Sequence, residues 1–542
     1  MRITNKVMQN NALVNINNNK VTQDMLNTQL ATGKKVNRPS EDPIVAIRAL
    51  RLRSDVEQVT QYLKKNAPDA VSWLELTEGS LKTTVSVIKD MVEQCEKGSS
   101  DQLKTEDRKV IIDSLNELYK EVYDTGDSDY AGRYIFTGYR TDTSLSFGTQ
   151  TEKKYVITEA FDRSALEQET FIDIASASNV DLRDLSETTF ADASGAAPVP
   201  LITENDISQV DYYRFRVAYG NLDEDQTDLQ GGAMNPDPAD TSANPASRVG
   251  INRLNADGTV ADTKYAEIMT DPASAYEYIA KPENADKLVM IPSTGELLMG
   301  SDIYQQMQKT DETYTITYSK TNWKSTDLRP QHYFKVDTMD TLEDAAGNPL
   351  TIHYNPDYPQ NRTIGQAIEY QVGFNQSIQV NTYAEDVYKH GLGRDVLEIT
   401  DLANKLTDIE NMKAKLKTMS EDTKYSEDER KAIALDLEAA EKAETFTKDQ
   451  LQKKFSNYIT KMQGYLNGAN EALTVVGNRS ARLALINNRL TDQKETFDTL
   501  KSDNEDADET EVAVNLSSAE VSYEAALMAT SSMIQTTLLN YL

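Results

Sequence analysis

The two ends of this 542-residue chain carry apolar residues at helical spacing, whereas its polar, Tyr- and Thr-rich middle alternates as strands do. This contrast constrains the fold more than any other feature. A helix with an apolar stripe has to bury that stripe, so two similar ends are expected to pack together and to leave the middle as an outgrowth. The pattern predicts an α+β protein and favours a self-assembling structural subunit.

The N-terminal helix has an apolar stripe with heptad spacing. Val7, Val14 and Val21 recur every seven residues, and Met25 widens the stripe. Asn is frequent between them, as at Asn19, which lowers helix propensity and would fix the register wherever it falls within a packed seam. We therefore predict a helix-packing surface on this segment.

A helix corner follows the first helix. Gly33 is a suitable residue to end that helix, and Asp42 followed by Pro43 is typical of an N-cap with proline in the first turn. The second helix is expected from Pro43 to about residue 66, and a third helix is expected after Pro68.

The C-terminal part of the chain contains two further apolar seams, separated by an acidic break at residues 502–511. The first favours packing within the subunit as much as contact between subunits, and the second gives a wide apolar face that needs a partner. The residues we assign to assembly in these seams are Leu483, Leu490, Phe497, Val521, Leu527, Ile534 and Leu538.

The sequence divides into three segments. Residues 1–138 and 391–542 are predicted to be helical cores, and residues 139–390 a β-rich outer domain. Within the outer domain residues 313–318 alternate as a half-buried strand does, and residues 368–372 and 378–381 resemble a strand pair around a turn that contains Gly373.

The net charge of −31 argues against nucleic acid or an anionic membrane as a partner. The charge is unevenly distributed: residues 1–65 carry eleven Lys/Arg and five Asp/Glu, a net of +6, whereas residues 503–542 carry eight Asp/Glu and no Lys/Arg, a net of −8. Opposite signs favour docking of the two ends, within one subunit or between neighbours. Solvated helix faces are the alternative interpretation.

No motif in the sequence predicts catalysis, a cofactor or a metal site. Cys95 is the only cysteine, and His332, His353 and His390 are scattered without metal-ligand spacing. The N-terminus lacks the apolar run of a secretory signal, and no stretch has the length of a transmembrane helix. This indicates a cytoplasmic protein, unless export uses a route that reads no such signal.

Folding of the terminal helices is expected to depend on association. Ordering about thirty residues costs on the order of 30 to 60 kcal/mol of backbone entropy. The helix hydrogen bonds and the apolar stripe of the first segment only approach that cost, so the ends are predicted to be marginal in a monomer and to fold fully in a polymer.

Several local patterns resemble the flagellin-like axial proteins of the bacterial flagellum. GKKVNRPSEDP, at residues 33–43, resembles the family's signature between its first two helices, and its PSEDP matches the PSDDP of the hook-associated members except for Glu41. The other matching segments are GRYIFTG at 132–138, IEYQVG at 368–373, IQVNTYAEDVY at 378–388, VVGNRSARL at 475–483, SDNEDAD at 502–508 and LLNYL at 538–542.

The resemblance implies an adaptor between hook and filament, with no enzymatic activity. It implies a homo-oligomeric ring that contacts hook-associated protein 1 and flagellin, an export chaperone on the C-terminal helix, and an extracellular location reached by type III export without a cleaved signal peptide. A flagellin filament subunit is the nearest alternative, since it belongs to the same structural class. A secreted adhesin carried by the middle domain is a more distant one.

Overall fold

The computed structural model describes residues 5–100, 103–173, 202–226, 229–230, 233–234, 249–343, 349–360 and 366–539. It confirms the α+β class, with long helices at both ends and a large mixed sheet between them. The helices are α1 (Asn5–Thr32), α2 (Pro43–Gln61), α3 (Ala67–Gly98), α4 (Thr105–Gly126), α5 (Pro272–Ala280), α6 (Ser301–Lys309), α7 (Ala384–Val387), α8 (His390–Glu421), α9 (Glu427–Glu505) and α10 (Glu509–Leu539).

The strands lie mostly between α4 and α7. They are β1 (Asp129–Tyr130), β2 (Arg133–Tyr134), β3 (Thr151–Phe161), β4 (Leu166–Asp173), β5 (Ser208–Arg216), β6 (Leu229–Gln230), β7 (Ala233–Met234), β8 (Val249–Leu254), β9 (Val260–Ile268), β10 (Leu288–Ile291), β11 (Glu296–Met299), β12 (Tyr314–Trp323), β13 (Lys335–Glu343), β14 (Pro349–Tyr354), β15 (Glu369–Gly373) and β16 (Gln376–Gln379).

Ten strands form one sheet in the order β14-β13-β3-β12-β8-β9-β10-β11-β5-β4. The β9–β10 pair is parallel, and the other pairings described within this sheet are antiparallel. The predicted strand at 313–318 is present as the start of β12, but its half-buried character was wrong. Thr315 and Thr317 are buried, as are Tyr314, Ile316 and Tyr318, so both faces of this part of β12 are covered.

The chain divides into two compact units. The first contains Met1–Ser72, Tyr370–Ile378 and Ser480–Leu542, and the second contains Trp73–Glu369 and Gln379–Arg479. The chain thus returns to the first unit twice, once through the predicted strand pair, which is present as β15 and β16. The division into segments at residues 138 and 390 remains a prediction.

The predicted break at Pro68 is absent. α2 continues through a π-helical turn, Tyr62–Asn66, directly into α3, and the amide of Ala67 donates to the carbonyl of Tyr62. Proline lacks the amide that an α-helix needs, and the wider π turn just before Pro68 redistributes the backbone hydrogen bonds at this point.

Helices α8 and α9 form an antiparallel hairpin in the second unit. Lys448 pairs with Glu410 at 3.3 Å, and Lys413 pairs with Glu444 at 2.9 Å, so later residues of α9 meet earlier residues of α8. The sequence predicted a helical core at residues 391–542, but not the turn at residues 422–426 that separates α8 from α9. The missed signal is a capping box at the start of α9, in which Ser426 and Glu429 bond each other's amides.

A network of buried charges joins this hairpin to the sheet. Arg214 of β5, only 2% exposed, contacts Glu398 of α8 at 2.9 Å and also pairs with Glu167, Glu169 and Glu296. The other members are Arg216, Asp395, Lys454 and Lys461, with Tyr276, Tyr458 and Tyr465 donating from their hydroxyls.

Two carboxylates of this network, those of Glu398 and Glu167, have lowered pKa values despite their burial. Burial alone would raise the pKa of Glu398, but Arg214, Lys454 and Arg216 together hold it well below its ordinary value. Burial also acts to raise the pKa of Glu167, and the surrounding cations lower it to about 2. The attraction therefore outweighs the desolvation penalty at both carboxylates.

Two glycines of α3 provide a matched test of packing between the helices of the second unit. A Cβ at Gly98 would lie 2.4 Å from the ring of the buried Phe455, whereas a Cβ at the exposed Gly79 would meet nothing within 4 Å. We expect Gly98→Ala to lower the free energy of unfolding by about 1 to 3 kcal/mol, because Phe455 has to move. Gly79→Ala should raise it by about 0.5 to 1 kcal/mol through helix propensity.

Chemical denaturation of the two variants, followed by circular dichroism, measures both effects. Equal changes in the two variants would contradict the close approach of α3 and α9 at Gly98.

Candidate functional site

Helices α1 and α10, from opposite ends of the chain, pack along each other in the first unit. Each turns a heptad-spaced stripe of less exposed residues toward the other, with spacings of three and four. On α1 the stripe consists of Ala12, Ile16, Asn19, Gln23 and Leu26, and on α10 of Val512, Leu516, Ala519, Tyr523, Ala526 and Thr530.

This intramolecular seam is not the stripe that the valine heptad indicated. Val7, Val14 and Val21 are exposed, and Met25 is 41% exposed. Val14 lies two positions from Ala12 and two from Ile16, which places it about 160° to 200° around the helix from the seam at ~100° per residue. The predicted residues are thus grouped on a face of α1 directed away from α10.

Asn19 occupies the seam itself. Its side-chain amide donates to the carbonyl of Ser522 at 3.4 Å, which places a polar contact between α1 and α10. A hydrogen-bonded asparagine in such a seam penalises shifted registers, as the sequence suggested for any asparagine that fell there.

Helix α10, like α1, is two-sided: one side packs against the other helix, and the opposite side carries exposed apolar residues. Val521 is 64% exposed and Leu527 is 43% exposed, while Val512 on the opposite side is buried. Ile534 and Leu538 lie within the helix, but their side chains fall outside the described part of the structure. An apolar face therefore extends along α10 from at least Val514 to Met528, both of which are exposed.

The seam at 483–500 is placed differently. Leu483 and Leu490 are fully buried in the single chain, and Phe497 is half-buried. Packing inside the subunit, one of the two interpretations of this seam, accounts for the first two residues.

The helix corner has the predicted geometry. Gly33 adopts φ of +64°, a left-handed conformation suited to glycine, and its amide bonds the carbonyl of Gln29. Asp42 accepts hydrogen bonds from the amides of Ile44 and Val45 at 2.9 and 3.1 Å, and Pro43 begins α2. These contacts confirm the local N-cap.

Glu41, the departure from the family's motif, has a contact of its own. Its carboxylate accepts from the amides of Asn37 at 2.9 Å and Arg38 at 3.3 Å. The loop between α1 and α2 is thus closed by two acidic side chains that bond backbone amides on either side of the corner.

The corner also binds the acidic break between α9 and α10. Arg53 makes a bidentate pair with Glu505 at 2.6 and 2.7 Å, and Lys34 contacts both Glu505 and Asp506. Backbone bonds join the same segments, from the Lys35 amide to the Glu505 carbonyl and from the Ala507 amide to the Gly33 carbonyl. We call Lys34, Arg53, Glu505 and Asp506 the terminal clamp.

The terminal clamp confirms that the oppositely charged ends dock, and it shows that they do so within one subunit. Arg53 hydrogen-bonds Glu505, which is only 4% exposed, and lowers the pKa of its carboxyl. The regional charge imbalance predicted the docking, but sequence alone did not single out Arg53 and Glu505.

Burial shifts the pKa values of Cys95, His332 and His390 away from their ordinary ranges. Cys95 is fully buried, and burial raises its pKa to about 12, which suppresses the thiolate. Burial also lowers the pKa values of His332 and His390 to about 3. Across the described ranges, no group of three or more His, Cys, Asp or Glu side chains is placed to hold a metal ion.

Among the described helices, none combines the length and hydropathy needed to cross a membrane.

The N-terminal helices are similar in sequence to a known protein family. Residues 3–141 match the bacterial flagellin N-terminal helical region. Over 145 residues the chain is 30% identical to flagellar hook-associated protein 3 of Salmonella typhimurium, and over 122 residues it is 30% identical to a flagellin of Clostridium tyrobutyricum. These alignments cover 27% and 22% of this chain, and 45% and 32% of the relatives. The chain thus spans less than half the length of the curated relatives it matches.

Similarity to solved structures is weaker. A flagellar hook-associated protein from Vibrio parahaemolyticus aligns over 86% of this chain and all of its own, with 12% identity and a TM-score of 0.29. A FlgL structure from Xanthomonas campestris aligns over 81% of this chain and 98% of its own, with 10% identity and a TM-score of 0.25. The sequence match at residues 3–141 is the informative one: this part of the chain is similar to the N-terminal helical region of bacterial flagellins.

The terminal clamp should be sensitive to acid. Glu505 has a lowered pKa when folded, so its contribution is present above its unfolded pKa of ~4.3 and is lost as the pH falls through the folded value. We expect Glu505→Gln to weaken the docking of α1 and α10 by about 1 to 2 kcal/mol near neutral pH. Amide hydrogen exchange of both helices measures the change.

Glu511→Gln, on an exposed residue of the first turn of α10, is the control and should leave exchange unchanged. The difference between wild type and Glu505→Gln should shrink as the pH is lowered from about 6 to about 3. A constant difference across that range would contradict a role for the ionised carboxylate.

Proposed function

We propose that this protein is a structural subunit of the bacterial flagellum that forms the junction between hook and filament by polymerising through its terminal helices. The observation that carries the proposal is the two-sided character of α1 and α10. One side of each helix packs against the other helix, while Val14 and Val521 are exposed on the outer sides. Apolar faces of this extent are expected to be covered in an assembly.

The outer faces suit contact with several neighbours. A helix pair held by a narrow seam buries few of its apolar side chains, so further packing partners would add burial on both helices. The terminal clamp fixes the pair at its corner end, which would present the two outer faces in a constant relation to neighbouring subunits. Folding of the ends is then coupled to assembly, as we expect for marginal terminal helices.

The relatives support the flagellum as the setting. The N-terminal match is to flagellin, and two curated relatives bear the name flagellar hook-associated protein 3. The segment Pro39–Pro43 favours the hook-associated branch over flagellin, and its acidic residues Glu41 and Asp42 close the corner through backbone amides.

This role implies specific partners and a location. We infer a homo-oligomeric ring that contacts hook-associated protein 1 on one side and flagellin on the other. We also infer a flagellar export chaperone on the apolar face of α10 before export. The protein would be extracellular at the hook–filament junction and would reach it by type III export without a cleaved signal peptide.

A flagellin filament subunit is the alternative that a specific observation supports, because one matching relative is a flagellin. The two functions share the same helix packing and differ in where the subunits are placed. An adhesin carried by the middle domain has no comparable support.

Immunogold electron microscopy distinguishes the junction from the filament. With an antibody raised against residues 139–390, we expect gold at one point on each flagellum, where hook meets filament. Label along the whole filament would make the protein a flagellin, and label elsewhere on the cell would overturn the proposal.

Substitution on the outer face tests the assembly surface. Val521→Asp places a charge on the exposed side of α10, where a neighbouring subunit would cover it, and burial of an unpaired charge is costly. Cells that produce only this variant should lose filaments and swimming motility. Circular dichroism of the purified variant should match that of the wild type, because Val521 is exposed in the single chain.

Val110→Asp is the matched control. Val110 is 68% exposed on α4, in the second unit, so the substitution makes the same change in chemistry away from the terminal helices. Normal filaments in the Val521→Asp strain would contradict the assigned surface, and so would equal defects in the two strains.

A further inference from the structure

The second unit contains a cavity of about 500 Å³ next to the buried charge network. Its walls come from the end of β5 and the loop after it, the turn before β11, the segment after β12, and α4, α8 and α9. In a protein with a net charge of −31, this cavity is lined by seven Lys/Arg and only four Asp/Glu. Three of these cations, Arg214, Arg216 and Lys454, belong to the charge network and are paired there. Outside the network the cavity is lined by four cations, Lys320, Lys324, Arg394 and Lys405, and by two carboxylates, those of Asp327 and Asp401.

Two of the four carboxylates of the cavity are engaged in the charge network. Glu398 binds Arg214, Arg216 and Lys454. Glu296 pairs with Arg214 and accepts from the hydroxyls of Tyr276 and Thr294. These two acids therefore balance the charge network rather than the remaining cations of the cavity.

Two of those remaining cations are held by carbonyl oxygens. Arg394 of α8 donates to the carbonyl of Thr294 and forms no ion pair within the described part of the chain. Lys320, only 2% exposed, donates to the carbonyls of Gly220 and Asn221 at 2.7 and 3.1 Å, and its nearest carboxylate oxygen, on Asp327, lies at 3.9 Å. A carbonyl orients a cation but does not neutralise it.

Gly220 makes room for this arrangement. A Cβ at that position would lie 2.6 Å from Nη1 of Arg394, so a larger residue would displace the guanidinium. Gly220 thus lies next to both cations. Its carbonyl accepts a hydrogen bond from Lys320, and the absence of a side chain leaves space for the guanidinium of Arg394.

The electrostatics of the cavity favour an incoming anion. Burial lowers the pKa of Lys320 to about 8 and that of Arg394 to about 10, which means that the folded protein stabilises both charges less than water does. His390 and Gly393, in the first turn of α8, also line the cavity and add the positive end of a helix dipole.

We propose that this cavity binds a small anionic ligand that carries a phosphate or carboxylate group, and that Arg394 and Lys320 contact the anion. A guanidinium and an ammonium converging on one space are the groups that recognise such anions in proteins. The volume suits a metabolite-sized ligand rather than a polymer. This binding site is separate from the assembly surface of the terminal helices and does not depend on the function proposed for that surface.

Isothermal titration calorimetry of the full chain tests the site. Inorganic phosphate and malonate are titrated in separate experiments, with sodium chloride at matched ionic strength as the reference. We expect saturable binding of at least one of the two anions, and the tighter of them identifies the ligand class. Absence of saturable binding for both anions would overturn the proposal.

Variants locate the binding. Arg394→Gln should weaken affinity about tenfold or more, the loss expected for one charged hydrogen-bond partner. Arg479→Gln is the matched control, because Arg479 also donates to a backbone carbonyl, that of Asn381, and does not line the cavity. Equal loss in the two variants, or no loss in Arg394→Gln, would place the binding elsewhere and overturn the proposal.

Gly220→Ala provides a second test that leaves the charge unchanged. The added methyl group should displace the Arg394 guanidinium and weaken anion binding, while circular dichroism reports whether the fold is retained. If Arg394→Gln does not fold, Gly220→Ala decides the question. Wild-type affinity in a folded Gly220→Ala protein would contradict the assigned contact.

Discussion

The pairing of α1 with α10 is the constraint on which the first unit depends, because it joins the two ends of a 542-residue chain. The entropic cost of closing so long a loop grows only slowly with its length, so a modest interface can meet it. The interface is indeed modest. Ala12, Asn19 and Gln23 on α1 contribute little apolar area to the seam. The terminal clamp adds charged and backbone hydrogen bonds at the corner end of the pair, where Leu26 and Val512 are buried.

The periodicity of the sequence predicted the terminal helices, their boundary at Gly33 and their tendency to pack, but it did not indicate which face of α1 packs against α10. Val7, Val14 and Val21 form the more apolar stripe, and an analysis of hydrophobicity chooses that stripe. The seam that packs within the subunit contains Ala12 and Asn19 and is less apolar. The choice between the two stripes of α1 depends on the sequence of α10. The residues of α10 that contact α1 lie more than 480 residues further along the chain.

The charge network could not be predicted from sequence for a different physical reason. Arg214 and Arg216 alternate along a strand in the way that solvent-facing residues do, and buried arginines are rare unless they are paired. Their partners come from β4, β11 and α8, so the network exists only after the sheet and the helical hairpin have met. The hairpin itself was missed because its turn contains no Gly or Pro, although Ser426 and Glu429 carried a capping signal.

The same network explains the contact that Arg394 makes in the neighbouring cavity. Four cations of the network, Arg214, Arg216, Lys454 and Lys461, share five carboxylates, and each of these groups would be costly to bury alone. Saturation of Glu398 by three cations leaves it little capacity for a fourth. Arg394, one helical turn earlier on α8, therefore lies beside carboxylates that are already engaged and turns to a backbone carbonyl instead.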